Sequence, residues 1–301
     1  MKRTFLLLII SFFSTGISFG QQPLTSTPIK LVKGLIFFEL RINDSQKLNF
    51  LFDSGAGVSV LDSAAAKKVN LTISGPSRVG TSSGVVTTQS SVNNTLTIED
   101  LEIKGISFEI LSLTHLSKYF KIPIAGIIGY DLFSRFVVET NIDLLRMKIY
   151  DADSYETNDR DVALPMISFD HNKIGIEVIL TDDEEREITL PLTIDTASDD
   201  YLWLFPQAHS QYDFLGKRKR KAVKGFSASP SVFTNYKGKV RAVSFGGKTW
   251  KKVMTTFAVG EISVAAFQDS QSNGLIGQNL LLDFNVIYDY KHHRVFLQQR
   301  R

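Results

Sequence analysis

The chain has 301 residues, of which 43% are hydrophobic and 22% charged, with a formal net charge of +3. It is too long for one small module and apolar enough for a sizeable core, and it lacks the strongly basic balance that would point to nucleic acid. It contains no cysteine, so stability must rest on core burial and strand pairing rather than on disulfides.

In chain order, Lys2 and Arg3 precede the apolar run Thr4–Phe13, and Ser18 and Gly20 stand three and one residues before Gln21. Charge, run length and small residues together predict a cleaved secretory signal over residues 1–20. The run is far shorter than a membrane span, and no later segment approaches one. The expectation is an exported chain, periplasmic or secreted, beginning near Gln21. No cysteine follows the run, which excludes a lipid-anchored lipoprotein.

The remainder reads as short stretches rich in Val, Ile, Phe and Thr, broken by Gly, Asn, Asp and Ser. Leu35–Ile42, Ser91–Ile98, Ile106–Leu113, Arg135–Ile142 and Lys239–Phe245 are examples. This pattern predicts an all-β protein, with short helices at Asp62–Lys68 and around Tyr130–Ser134. The polar segment Asp151–Asp161 predicts a linker between lobes spanning 24–155 and 160–301. Its Asp-x-Asp opening does not make a calcium loop, because Glu156 replaces the turn glycine and Val162 the closing glutamate.

An internal repeat organises the chain. Asp195 lies 142 residues after Asp53, and at that offset Leu48, Phe50 and Phe52 match Leu190, Leu192 and Ile194. The motif GIIG (Gly126–Gly129) matches GLIG (Gly274–Gly277) at an offset of 148, which also pairs Leu132 with Leu280, Phe136 with Phe284 and Val138 with Val286. Six extra residues therefore enter the second repeat between its aspartate and its glycine motif. Each repeat supplies one aspartate at the end of an apolar strand.

Two such units packed about a pseudo-twofold axis bring Asp53 and Asp195 together. Carboxylates close enough to share a proton do not both ionise, so the pair titrates as a unit. One member takes a proton from a water attacking a peptide carbonyl while the other hydrogen-bonds the carbonyl oxygen. No metal, cofactor, cysteine or serine nucleophile is required. Ser54 and Thr196 carry hydroxyls suited to reaching the opposite lobe's backbone. Gly55 permits a tight turn with its N–H toward the carboxylate.

The Asp-Ser-Gly-Ala and Asp-Thr-Ala-Ser loops, followed 76 and 82 residues later by the final glycine of GIIG and GLIG, resemble the pepsin and retropepsin superfamily of aspartic proteases. The lobes are similar to retropepsin-type units in tandem, and the resemblance spans roughly residues 30–300. It implies a two-lobed acid-protease fold from an internal duplication and a peptide or protein substrate cleaved between lobes by Asp53 and Asp195. One departure is Ala197, where the family has glycine. A catalytically inert peptide-binding module is the alternative, as is a homodimer in which Asp53 alone works; the expected state is a monomer. Substrate flaps are expected at Arg78–Thr88, with Ser82, Ser83 and Gly84 at its tip, and at Val223–Phe233, with Phe226 and Phe233 available to cover an apolar pocket. Pepsin-like flap tyrosine is absent from the first. The basic run Gly216–Lys221 reads as a solvated loop in the second lobe, and Asp199 and Asp200 as a solvated turn. None of the five histidines shows metal-ligand spacing.

Overall fold

The computed structural model describes residues 21–81, 84–157, 162–214, 219–225, 232–259, 261, 267 and 270–300. In the first half the strands are β1 Thr25–Val32, β2 Leu35–Ile42, β3 Leu48–Phe52, β4 Val60–Asp62, β5 Ile73–Thr81, β6 Gly84–Ile98, β7 Leu101–Leu111, β8 Gly126–Ile128, β9 Phe136–Asn141 and β10 Arg146–Asp151. In the second half they are β11 Val162–Pro165, β12 Ile167–Phe169, β13 Lys173–Thr181, β14 Glu187–Asp195, β15 Leu202–Leu204, β16 Lys221–Gly225, β17 Phe233–Phe245, β18 Lys248–Phe257, β19 Gly274–Gly277, β20 Phe284–Asp289 and β21 Arg294–Gln299. Helices are short: α1 Ser63–Ala66, α2 Thr114–Phe120, α3 Tyr130–Phe133, α4 Pro206–Gln211 and α5 Gln278–Leu281. The protein is all-β and two-lobed.

The lobes follow one path. The first runs β2-β3-β8-β4-β7-β6-β5 and the second β13-β14-β19-β15-β18-β17-β16. In each, the strand ending at the aspartate pairs in parallel with the strand of the glycine motif, β3 with β8 and β14 with β19. In each, that glycine strand then pairs antiparallel with the strand that follows the aspartate loop, β4 or β15. Between the lobes the order is β1-β10-β9-β20-β21-β11, three strands from each half, meeting at an antiparallel β9–β20 seam that pairs Glu139 with Ile287. The hydrogen-bonded sheet of the first lobe runs on into this shared layer.

β3 is apolar at every position from Phe50 to Phe52 because both faces are covered there. Phe50 and Phe52 enter the main core, while Leu51 joins Leu35, Phe37, Leu116 and Phe120 in a smaller cluster beneath α2. Alternate residues point to opposite faces, so only doubly covered strands lose the polar alternation. The core crosses the seam: Phe52 and Phe133 lie 4.9 Å apart, and Tyr288 of the second half packs on both at 5.9 and 5.3 Å. Each such ring contributes about 2–3 kcal/mol of burial.

The helix expected at Asp62–Lys68 is shorter, because Asp62 serves as its cap. Its Oδ2 accepts from the N–H groups of Ala64 and Ala65 at 2.9 and 3.2 Å, and its Oδ1 from Leu113 at 2.7 Å. Asp151 Oδ1 accepts from the N–H groups of Asp153 and Ser154, Ala152 is buried, and Tyr155 packs edge-on against Tyr150 at 5.2 Å. The extra residues of the second half enter mostly early. The β6–β7 turn at Glu99 and the β17–β18 turn at Gly246 are already 147 positions apart.

Candidate active site

Asp53 follows β3 directly and Asp195 ends β14, so the parallel pairing with β8 and β19 places both at the same level of their lobes. The loops that follow them interlock. Ser54 N–H donates to Thr196 Oγ1 at 2.9 Å, and Thr196 N–H donates to Ser54 Oγ at 3.2 Å. Each hydroxyl then donates to the backbone of the other lobe, Ser54 Oγ to Ile194 O at 2.8 Å and Thr196 Oγ1 to Phe52 O at 3.0 Å. Ser54 is 2% exposed and Thr196 fully buried. Four reciprocal bonds with no water to compete for them fix the two loops against each other.

Gly55 touches both carboxyl groups. Its N–H donates to Asp53 Oδ1 at 2.8 Å, while a methyl placed on its α-carbon would lie 2.9 Å from Asp195 Cγ and 3.2 Å from both carboxylate oxygens. The two carboxyls are thereby brought to either side of one residue. At the matching position Ala197 N–H donates to Asp195 Oδ1 at 2.9 Å. The Ala197 side chain packs on the apolar cluster around Leu35. The N–H groups of Gly55 and Ala197 therefore do the same work, and only the methyl differs.

The environment holds protons on the pair. Burial raises Asp53, and the charge of Asp195 raises it further, to about 8 against the pull of the Gly55 N–H, Lys173 and the Ala56 N–H. Asp195 is raised too, again by burial first and with a contribution from Asp200; the N–H groups of Ala197 and Ser198 and the Lys173 charge oppose this. Two desolvated carboxyls side by side retain one proton between them well above the ordinary carboxylate range.

Glycines close the back of each loop. A methyl on Gly129 would lie 2.2 Å from Ala56 O, and one on Gly277 2.1 Å from Asp200 O. The motif glycines are thus required by backbone contact directly behind the aspartate loops. Asp199 is exposed, as expected of a solvated hairpin, but Asp200 is not. Asp199 accepts from Tyr119 Oη of the first lobe at 2.7 Å, while Asp200 pairs with Lys237 at 2.5 Å and accepts from Thr256 Oγ1 at 2.8 Å.

Of the flap residues, Gly84 opens β6 with φ +108°, paired to Thr81 across the β5–β6 hairpin. Phe233 opens β17, paired to Gly225 of β16. Ser82, Ser83 and Phe226 lie outside the described residues, as do Gly216, Lys217 and Arg218 of the basic run. Two residues near the site had no motif to announce them. Lys173 starts β13, and its charge acts on both aspartates. Tyr290 donates its hydroxyl to Ser54 O at 3.3 Å, and burial first, then Tyr288 and Asp53, push it well above the usual phenol range. Alignment of Leu35 with Lys173 at the start of β2 and β13 was the available signal for the first.

No curated protein matches the chain. Residues 38–132, which run from β2 through Asp53 and the first glycine motif into α3, match the family described as aspartyl protease, and this supports the aspartic protease superfamily for the chain.

Proposed function

We propose that the protein is an aspartic endopeptidase in which Asp53 and Asp195 act as one catalytic dyad on a peptide or protein substrate. The observation that carries this reading is Gly55, held between the two carboxyls by the reciprocal Ser54–Thr196 bonds. A water held between the aspartates loses a proton to the ionised one as it attacks the scissile carbonyl. The protonated aspartate donates to the carbonyl oxygen, and a proton passes to the leaving amine as the tetrahedral adduct collapses. The reaction uses the chain's own groups throughout. Because one chain supplies both aspartates, the working unit is a monomer, and its mass in solution tests this. Residues 1–20 support export to the periplasm or beyond; an intact Met1 on cytosolic protein would overturn that.

The test is cleavage of an unfolded protein from mildly acidic to neutral pH by the purified protein and by Asp53→Asn and Asp195→Asn. Both substitutions are expected to abolish cleavage, each nearly as fully as the pair, because residues acting as a unit are not additive. Cleavage surviving Asp195→Asn alone would overturn the shared dyad. Ala197, in the place where the resembled family has glycine, favours a second reading, an inert peptide-binding module. Absence of cleavage in the wild type beside an active control would select it.

A further inference from the structure

We propose that Lys173 makes the cavity beside the dyad a subsite for an acidic side chain of the substrate, adjacent to or one residue removed from the cleaved bond. This rests on the endopeptidase reading. The cavity measures about 560 Å³ and is lined by Lys173, Asn172, Phe169, Tyr130, Arg135 and Tyr290 among others. It opens where the β12–β13 turn of the second lobe meets the first lobe's aspartate loop. Asn172 Nδ2 donates to Gly57 O at 3.1 Å, and Gly57 is packed so closely on His171 O that a methyl there would lie 1.8 Å from it. Tyr290 ties another wall to the same loop through its bond to Ser54 O.

Comparison with the other side of the dyad shows what is unusual. The β1–β2 turn, Lys33-Gly34, and the β12–β13 turn, His171-Asn172, both carry positive φ, so Lys173 occupies the place that Leu35 holds in the first lobe. Leu35 is 1% exposed inside an apolar cluster closed by Ala56 and Ala197. On the Lys173 side the equivalent of Ala197 is Gly55, which brings no methyl, and Lys173 lines the cavity instead of an apolar cluster. One flank of the dyad is dry and filled; the other is open and cationic. A leucine suffices structurally at this position, so the fold does not demand the ammonium.

The charges around the cavity leave that ammonium available. Lys291 is paired with Asp153, and Asp151 is held toward its own turn by the N–H groups of Asp153 and Ser154 while keeping its charge. Arg135 donates to the neutral carbonyls of Lys104 and Gly105 at 2.5 and 3.1 Å, so its charge also remains uncompensated. His293 completes the titratable lining. Among the described residues no carboxylate lies within ion-pair distance of Lys173, which is half-buried. Its acidic neighbours at longer range are the dyad aspartates, which share one proton and one negative charge. A half-buried cation with no direct ion pair gains from a ligand that brings a carboxylate into contact with it. Lys173 directly follows Asn172, which is bonded to Gly57 of the Asp53 loop, so a carboxylate bound there belongs within two residues of the scissile bond.

The experiment uses peptide pairs that differ only by Glu or Gln at each position around a mapped cleavage site. The wild type is expected to prefer one Glu peptide in kcat/KM by about tenfold or more, as for a charge-assisted hydrogen bond. Lys173→Gln should remove that preference, Lys173→Arg retain it, and Lys173→Glu reverse it in favour of a Lys peptide, with melting temperatures checked for each. If Lys173→Gln lowers all rates alike and leaves the Glu/Gln ratio intact, Lys173 serves only the dyad and the proposal fails. A second arm is independent of cleavage. Binding of Ala/Phe heptapeptides carrying one Glu or one Gln to Asp53→Asn protein, followed by calorimetry, should show the same preference and its loss with Lys173→Gln. Equal binding of the two peptides overturns the subsite even where the protein cleaves nothing.

Discussion

Replacing Thr196 by valine removes one oxygen and keeps the shape of the side chain. That oxygen accepts from Ser54 N–H at 2.9 Å and donates to Phe52 O at 3.0 Å, both at fully buried positions. The substitution leaves a buried N–H without an acceptor and a buried carbonyl without a donor. An unsatisfied buried donor costs about 1–3 kcal/mol, and the lost carbonyl bond adds roughly 1 kcal/mol. Thr196→Val should therefore destabilise the protein by about 2–4 kcal/mol. The control is Thr249→Val on the exposed Ser244–Thr249 hydroxyl pair, 2.9 Å apart, where a loss under about 0.5 kcal/mol is expected. Urea unfolding provides the measurement, with two probes. Trp203 and Trp250 both lie in the second half, so fluorescence follows that lobe, whereas far-ultraviolet circular dichroism follows all strands. If the lock also couples the lobes, the two transitions coincide in the wild type and separate in Thr196→Val. A Thr196→Val loss no greater than that of Thr249→Val would refute the reasoning.

Gly129→Ala and Gly277→Ala press a methyl to 2.2 and 2.1 Å from a backbone carbonyl, so each should cost about 3 kcal/mol or more, read as a lower urea midpoint at unchanged slope. Gly55→Ala drives Asp195 aside and should cut kcat/KM by about 100-fold or more, a loss typical of 1 Å misplacement, whereas Ala197→Gly should keep both fold and activity. The pH dependence has a definite sign. Asp53 rises from 3.8 to about 8 on folding, so the folded state binds its proton more tightly, and that stability, complete in acid, is lost as pH climbs from about 4 to about 8. Asp53→Asn removes this loss, and its melting temperature should gain on the wild type steadily across that window.

The strands and the aspartate pair were legible because each left a local, repeated signal. Leu48, Phe50 and Phe52 recur as Leu190, Leu192 and Ile194, and the hydroxyl residues after each aspartate sit at the same offset. α5 was legible in principle, since it mirrors α3 at the 148-residue offset, but its Gln278-Asn279 opening carries no helix start signal. α2 is one short segment with two buried side chains, Leu116 and Phe120, too brief for helical periodicity to emerge. The solvated reading failed for Asp200 because its partners, Lys237 and Thr256, are remote in sequence. The same holds for the shared layer between lobes: its centre joins residues about 148 positions apart, and nothing local in either strand marks the partner. Lys173 was visible as a residue but not as a feature, because its meaning depends on the cavity it faces.

The β9–β20 seam gives the order of synthesis a physical consequence. β9 is made well over a hundred residues before β20 exists to pair with it. Until then the first lobe carries an open strand edge, Phe136–Asn141, with Val137 and Val138 beside unpaired backbone groups. The hairpin that caps this edge, β20–β21, is made after every other described strand. A chain truncated before Phe284 is therefore left with a sticky half-sheet, prone to pair with the same edge of another copy, and the C-terminal hairpin β20–β21 acts as the protein's own guard against self-association during folding.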